Sequence, residues 1–246
     1  MVRTAKPKPE RRLPTRTSRP RSAPAATPTV TPEPAPGPDA AADDSTRGKI
    51  LATALRVFAE RGFDGARTRD IAEQAGANLG LITYYFQNKE TLWREAVTRA
   101  FAELRRELAE AMAAHAGDDE RRQLEQLARR FIRFVARRPE FMRLMNDEGK
   151  QDSARMRWLV DRFVRPMNDA LRVLIERGQA HGLLPQVSAT SLHYIMLGAA
   201  GLIFSQAPEC RRLTGTDPTS DAFAEAHADA LIRILTGSAP STTTGT

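Results

Sequence analysis

One cysteine, Cys210, stands in a chain of 246 residues. No disulfide framework and no thiolate metal cluster can therefore form within one chain, and such usage fits a reducing cytosol. The four histidines, His115, His181, His193 and His227, lie far apart with no metal-ligand spacing among them. No glycine-rich phosphate loop occurs, and Cys210 lacks an evident histidine partner. These gaps weigh against an enzyme, and no cofactor is expected. The longest apolar run, Tyr194 to Phe204, has 11 residues. That is too short to span a bilayer, so no membrane partner is expected. The N-terminus has no apolar core of the kind a secretory signal needs.

Aromatic residues are absent before residue 45, and ten of the 16 prolines fall there. Such a segment cannot bury enough apolar surface to offset the entropy of ordering, so residues 1–45 are expected to be a disordered tail. Residues 1–30 carry eight basic side chains against Glu10 alone, a net +7 that equals the charge of the whole chain. The basic character thus belongs to the tail, either as an arm for DNA phosphates or as a solvated extension.

The remainder of the chain is helical in pattern. No stretch alternates with period two for long enough to make a strand, and apolar residues recur at three- and four-residue spacing. We expect an all-α fold of about nine helices. The first starts with a polar cap near Asp44–Thr46 and stops at Gly62. The second starts at Thr68, whose hydroxyl can cap it, and the third covers about 79–85. A long fourth helix runs from Lys89 to about His115, with Met112 on its inner side. A fifth covers about 119–137, and a short sixth opens at Pro139. A seventh from about Asp152 to Ala180 should kink at Pro166 rather than end there. Two more cover about 188–206 and 219–236. The expected division is a DNA-binding domain at 46–90, a helical domain at 91–237 and a disordered tail at 238–246.

The informative stretch is Thr68 to Lys89. Two short helices joined at Gly76 are the physical form of a helix-turn-helix, with Ile71, Ala75, Ile82 and Phe86 as a miniature core. In such a unit the second helix enters the major groove. The run Thr68-Arg69-Asp70-Ile71-Ala72, then Ala75-Gly76-Ala77, then Gly80-Leu81-Ile82-Thr83-Tyr84-Tyr85-Phe86 and Asn88-Lys89 resembles the TetR family of transcriptional regulators. Ala54 to Phe63 is similar to that family's first helix. The resemblance covers about 45 residues without a gap. It implies an N-terminal helix-turn-helix domain followed by a helical ligand-binding and dimerisation domain.

The resemblance also implies partners and roles. The protein would bind a palindromic operator in double-stranded DNA as a homodimer in the bacterial cytosol and would be released by a small-molecule inducer. Thr68, Tyr84 and Lys89 would touch phosphates, with Arg69 beside them and Arg47 reaching in from the first helix. Asn78, Leu79 and Gly80 would face base edges. Thr83 and Tyr85 would add hydroxyls on the outward side. In the body, Phe141, Met145, Trp158, Phe163, Met167 and His193 are candidate pocket residues or ordinary core. Leu192, Ile195, Met196, Ala199, Leu202 and Ile203, with Phe223, Ala230 and Ile234, are candidates for a four-helix pairing interface, and Gly198 and Gly201 offer a small-residue surface there. Two alternatives stay open: a ligand-independent activator or architectural DNA-binding protein, and a helical enzyme.

Overall fold

The computed structural model describes the backbone of residues 38–237 and side chains from residue 46. Of the tail expected at 1–45, residues 1–37 with the basic arm lie outside the described residues, as does the expected tail at 238–246; residues 38–45 are instead helical.

The described chain is all α-helical. It comprises α1 (Pro38–Gly65), α2 (Thr68–Gln74), α3 (Leu79–Phe86), α4 (Lys89–Ala114), α5 (Glu120–Arg137), α6 (Pro139–Glu148), α7 (Ala154–Leu159), α8 (Arg165–Ala180), α9 (Ala189–Ser205), α10 (Ala207–Thr214) and α11 (Asp221–Thr236). A π-helical turn, Val160–Val164, joins α7 and α8 into one rod. The described residues therefore form ten rods, one more than the nine expected. The extra one is α10. Its signals are local: Pro208 in the first turn, Glu209 near the N-terminus, Arg211 and Arg212 near the C-terminus, and left-handed Gly215 after it.

Helix α1 begins at Pro38, upstream of the cap expected near residues 44–46. A proline at the first helical position followed by aspartates and three alanines suits a helix start. Its C-terminal break is at Gly62, with φ 69° and ψ 171°, the conformation expected there of glycine. Phe63 then folds back and stacks on Phe58 at 5.8 Å. Six later helices carry side-chain caps, from Asn78, Asn88, Asp119, Ser153, Ser188 and Ser220.

Pro166 has the effect expected of it, by a specific device. A proline lacks an amide N–H and its ring collides with the carbonyl four residues back. The turn before it widens, so that the Arg165 N–H reaches back five residues to the Val160 carbonyl. The rod continues without ending.

One apolar core runs through these helices. From α1 it takes Ile50, Ala54, Val57 and Phe58, and from α4 Leu92, Trp93, Ala96, Val97, Phe101 and Leu104. It continues through Ile132, Phe134 and Phe141 to Leu159, Ile175, Leu192, Phe204, Ala228 and Leu231. Met112, expected on the inner side of α4, is instead exposed, and Ala111 is buried in its place. Arginines on α5 tie it to its neighbours. Arg129 and Arg133 pair with Glu225 on α11, and Arg138 pairs with Glu103 and Glu107 on α4. Such part-exposed pairs add little stability individually; they fix which faces of the helices meet.

Candidate nucleic-acid interface

Helices α2 and α3 are held at their inner faces. Ile71, Ala72, Ile82 and Phe86 are buried, with Ala75 and Leu81 packed against them. Gly76 makes the turn at φ 65°. With the inner faces committed, the remaining side chains look outward. Tyr84 is 76% exposed and Leu79 43%, while Asn78, Gly80, Thr83 and Arg69 are also exposed. An open groove of about 420 Å³ runs beside α3, lined in part by Arg67, Thr68, Arg69, Thr83, Asn88 and Lys89. It gathers three basic side chains, two hydroxyls and an amide on one surface, the chemistry that phosphate oxygens accept from.

Several side chains are placed differently from expectation. Thr68 is the first residue of α2 rather than its cap; the cap position is Arg67, which makes no capping side-chain hydrogen bond. Asn78 does cap: its Oδ1 accepts the Leu81 N–H at 2.9 Å. That oxygen is committed to α3, so the two-point pairing with adenine, which needs both amide atoms, competes with the cap. A Cβ at Gly80 would crowd this cap, lying 3.1 Å from Asn78 Oδ1. The Thr83 hydroxyl donates to the Leu79 carbonyl at 3.3 Å.

Arg47 does not point outward as a free phosphate contact. Its guanidinium pairs with Glu95 on α4 and lies 5.6 Å from the Phe86 ring centre, so it fastens α1 to α4. Tyr85 packs against the core, and its hydroxyl is buried without a hydrogen-bond partner. Its residue spacing placed it outward, but the ring tilts toward Phe86 at 5.8 Å and meets Tyr84 edge-on at 5.2 Å. Lys89 lines the groove while its Nζ donates to the Asp64 carbonyl at 3.2 Å and lies 4.7 Å from the Phe63 ring centre.

Sequence reasoning missed three residues of this surface: Arg67, Gln87 and Asn88. Arg67 had a signal, a basic residue just before a helix start. Gln87 had none. It is the one non-glycine residue with positive φ among the described residues, at φ 61° and ψ −49°. The Asn88 N–H donates to the Phe86 carbonyl at 2.6 Å across it, which makes a γ-turn of the strained hand.

In the body, the structure brings Phe141, Trp158 and Phe163 together. Phe163 stacks on Phe101 at 4.6 Å, Phe141 meets Phe101 edge-on at 5.1 Å, and Trp158 meets Phe163 at 5.4 Å. With Phe101 they form a packed aromatic cluster. Met145 and Met167 pack at the core's margin. His193 is half-buried, its Nδ1 buried without a partner, and burial holds its pKa below the usual histidine value.

The pairing candidates divide. Leu192 is buried in the chain's own core, and Met196, Ala199, Ile203 and Phe223 pack against it. Gly201 is also occupied, since a Cβ there would lie 2.7 Å from the Met142 side chain of α6. Ile195 at 54%, Leu202 at 48% and Ile234 at 77% stay exposed, with Gly198 open and Ala230 partly so.

A three-helix head with an outward second helix-turn-helix element, carried on a larger helical body, defines a DNA-binding transcriptional regulator. Comparison with known proteins names the family. The profile "Bacterial regulatory proteins, tetR family" matches residues 50–96, and "Tetracyclin repressor-like, C-terminal domain" matches residues 121–235. The chain belongs to the TetR family of helix-turn-helix transcriptional regulators, which is a non-enzymatic family. It is 29% identical to the HTH-type transcriptional repressor NicS of Pseudomonas putida over 160 residues, 63% of this chain and 74% of that protein. It is 31% identical to the HTH-type transcriptional repressor SCO4008 of Streptomyces coelicolor over 113 residues, 46% and 54% of the two chains. Among solved structures it is similar in fold to the ketosteroid transcriptional regulator KstR2 of Mycobacterium tuberculosis. That match has a TM-score of 0.62 and 18% identity, and covers 78% of this chain and 93% of the other. Among the described residues no helix is long and apolar enough to cross a membrane.

Proposed function

We propose that this regulator is a homodimeric repressor that holds a palindromic operator and releases it when a small apolar molecule binds among its body helices. The observation that carries the reading is the groove beside α3, where Thr68, Arg69, Leu79 and Lys89 share one surface, with exposed Tyr84 on the same helix. Thr68, Tyr84 and Lys89 contact phosphates, and Leu79, Gly80 and the Asn78 amide nitrogen meet base edges. Residues 46–90 read DNA and residues 91–237 sense and pair.

Pairing is supported by exposed Ile195 and Leu202, seven apart on α9, and by exposed Ile234 with partly exposed Ala230, four apart on α11. One head reads half a site, so two are needed for a palindrome. Sensing is supported by the aromatic cluster of Phe141, Trp158 and Phe163, by Met145 and Met167 packed against the same core, and by the unpartnered His193 nitrogen on α9. Two relatives that match are repressors by name. Release requires only that the ligand favour, by a few kcal/mol, a state whose heads are wrongly spaced.

The test is selection of bound sequences from a random DNA pool, run with the wild type and with a Tyr84→Phe, Lys89→Ala double variant. One palindromic site enriched by the wild type and bound weakly by the variant is the expected result. Equal binding by the two proteins would remove the groove from the interface.

A further inference from the structure

Between the head and the body, one aromatic ring is shared by two cations from different parts of the molecule. Phe63 follows the break at Gly62. The Lys89 ammonium, from the first residue of α4, lies 4.7 Å from its ring centre. The Arg155 guanidinium, from α7, lies 3.9 Å from the same centre and 6.0 Å from that of Trp93. Both cations lie within cation–π range of this one ring, whose negative π-face attracts each of them. Glu148 completes the arrangement: its carboxylate accepts from Arg155 Nε at 3.2 Å and is largely buried, which lowers the net charge at this point.

The path from body to groove is therefore short. Arg155 sits four residues before Leu159, next to the π turn at Val160–Val164 and in the same rod as Trp158. Trp158 in turn contacts Phe163 in that turn and Trp93 on α4. Any change that shifts the α7–α8 rod shifts Arg155. Lys89, over the same ring, lines the groove with Thr68 and Arg69.

We infer that Arg155 is a positioning residue for DNA binding: through the Phe63 ring it holds the Lys89 ammonium at the phosphate-facing groove, and withdrawing it loosens that seat. The inference rests on the reading of Lys89 as a phosphate contact. It assigns a role in DNA affinity to a residue of the body that itself faces no DNA.

The test is a double-variant cycle on the palindromic duplex that the wild type enriches from the random pool. Arg155→Met keeps the apolar stem and removes the planar charge. It is expected to weaken binding about fivefold to thirtyfold, the scale of one lost cation–π contact in each of two heads. In a Lys89→Ala background the same substitution should change affinity by less than about twofold, because the side chain it positions is gone. Arg155→Lys, which keeps a cation over the ring, should recover most of the wild-type affinity and also guards against poor folding of the methionine variant. Additive losses at Arg155 and Lys89 would overturn the relay, as would unchanged binding by Arg155→Met in a protein where Lys89→Ala binds weakly. Unchanged binding by Lys89→Ala would overturn the phosphate-contact reading and the relay with it.

Discussion

Replacing Gln87 by glycine should make the protein more stable. The residue sits at φ 61° and ψ −49° between α3 and α4, where a Cβ is held against its neighbours. A non-glycine residue in so sparsely populated a region costs on the order of 1–3 kcal/mol. Its side chain is exposed, so glycine forfeits no packing. Against the relief stands the extra freedom that glycine gives the unfolded chain, about 0.5–1 kcal/mol. The net gain is then up to about 2.5 kcal/mol, which for a domain of this size raises Tm by up to about 10 °C. Gln87→Ala keeps both the Cβ and the strain and serves as the control; it should melt within about 2 °C of the wild type. Gln87→Pro cannot reach positive φ and also loses the N–H that donates to the Thr83 carbonyl at 3.0 Å, so it should be destabilised. Calorimetric melts of the three variants decide the matter. A glycine variant melting at or below the alanine variant would refute the claim that strain is stored in this turn. A stable glycine variant should also bind operator more weakly, because the turn that sets the angle between α3 and α4 becomes freer.

Other residues give three further expected outcomes. Tyr85→Phe removes a buried hydroxyl with no partner and should raise stability by about 1 kcal/mol while leaving operator affinity within twofold; a large loss of affinity would mean that the hydroxyl reaches DNA. Asn78→Ala should lose about 1 kcal/mol of stability through the uncapped α3, and Asn78→Ser should keep most of it, both read by thermal melts. His193 is held below the ordinary histidine pKa by burial, so the unfolded chain takes up its proton first. This residue's contribution to stability is level above about pH 6.5 and declines as pH falls from there toward the folded value. His193→Leu should shrink the drop in Tm between pH 7 and 5, and an equal drop in both proteins would contradict this.

Much of the head was legible in the sequence because its constraints are local. Gly62 and Gly76 mark turns, Ile71, Ile82 and Phe86 mark an inner face, and a few residues decide each outcome. Tyr85 and Arg47 were misplaced because their fates depend on partners from elsewhere. Periodicity cannot tell that Glu95 lies opposite Arg47, or that the Tyr85 ring tilts inward. In the body, the helices were visible but their neighbours were not. Leu192 and Gly201 read as a surface for a second chain, yet one sits in the chain's own core and the other against Met142. Trp93, fully buried, escaped the expected inner face of α4 because its burial comes from two directions, Phe63 and Trp158. Helix α10 escaped notice although its proline, charges and glycine all announced it.

The widened turn before Pro166 also settles a question of phase. Leu159, Phe163, Met167, Leu171 and Ile175 succeed one another at intervals of four. Along an unbroken α-helix, at about 100° per residue, 16 residues would carry that row about 160° around the rod, from one side nearly to the other. A π turn takes up one residue more than an α turn and cancels about 100° of that drift. Leu159 and Ile175 can thus both be buried on one side of a single rod. The proline and the row of fours belong together. Deleting one residue between Val160 and Val164 would restore regular winding and leave about 60° between Leu159 and Ile175, the same phase as now, so Ile175 and Gly178 would stay on the core side.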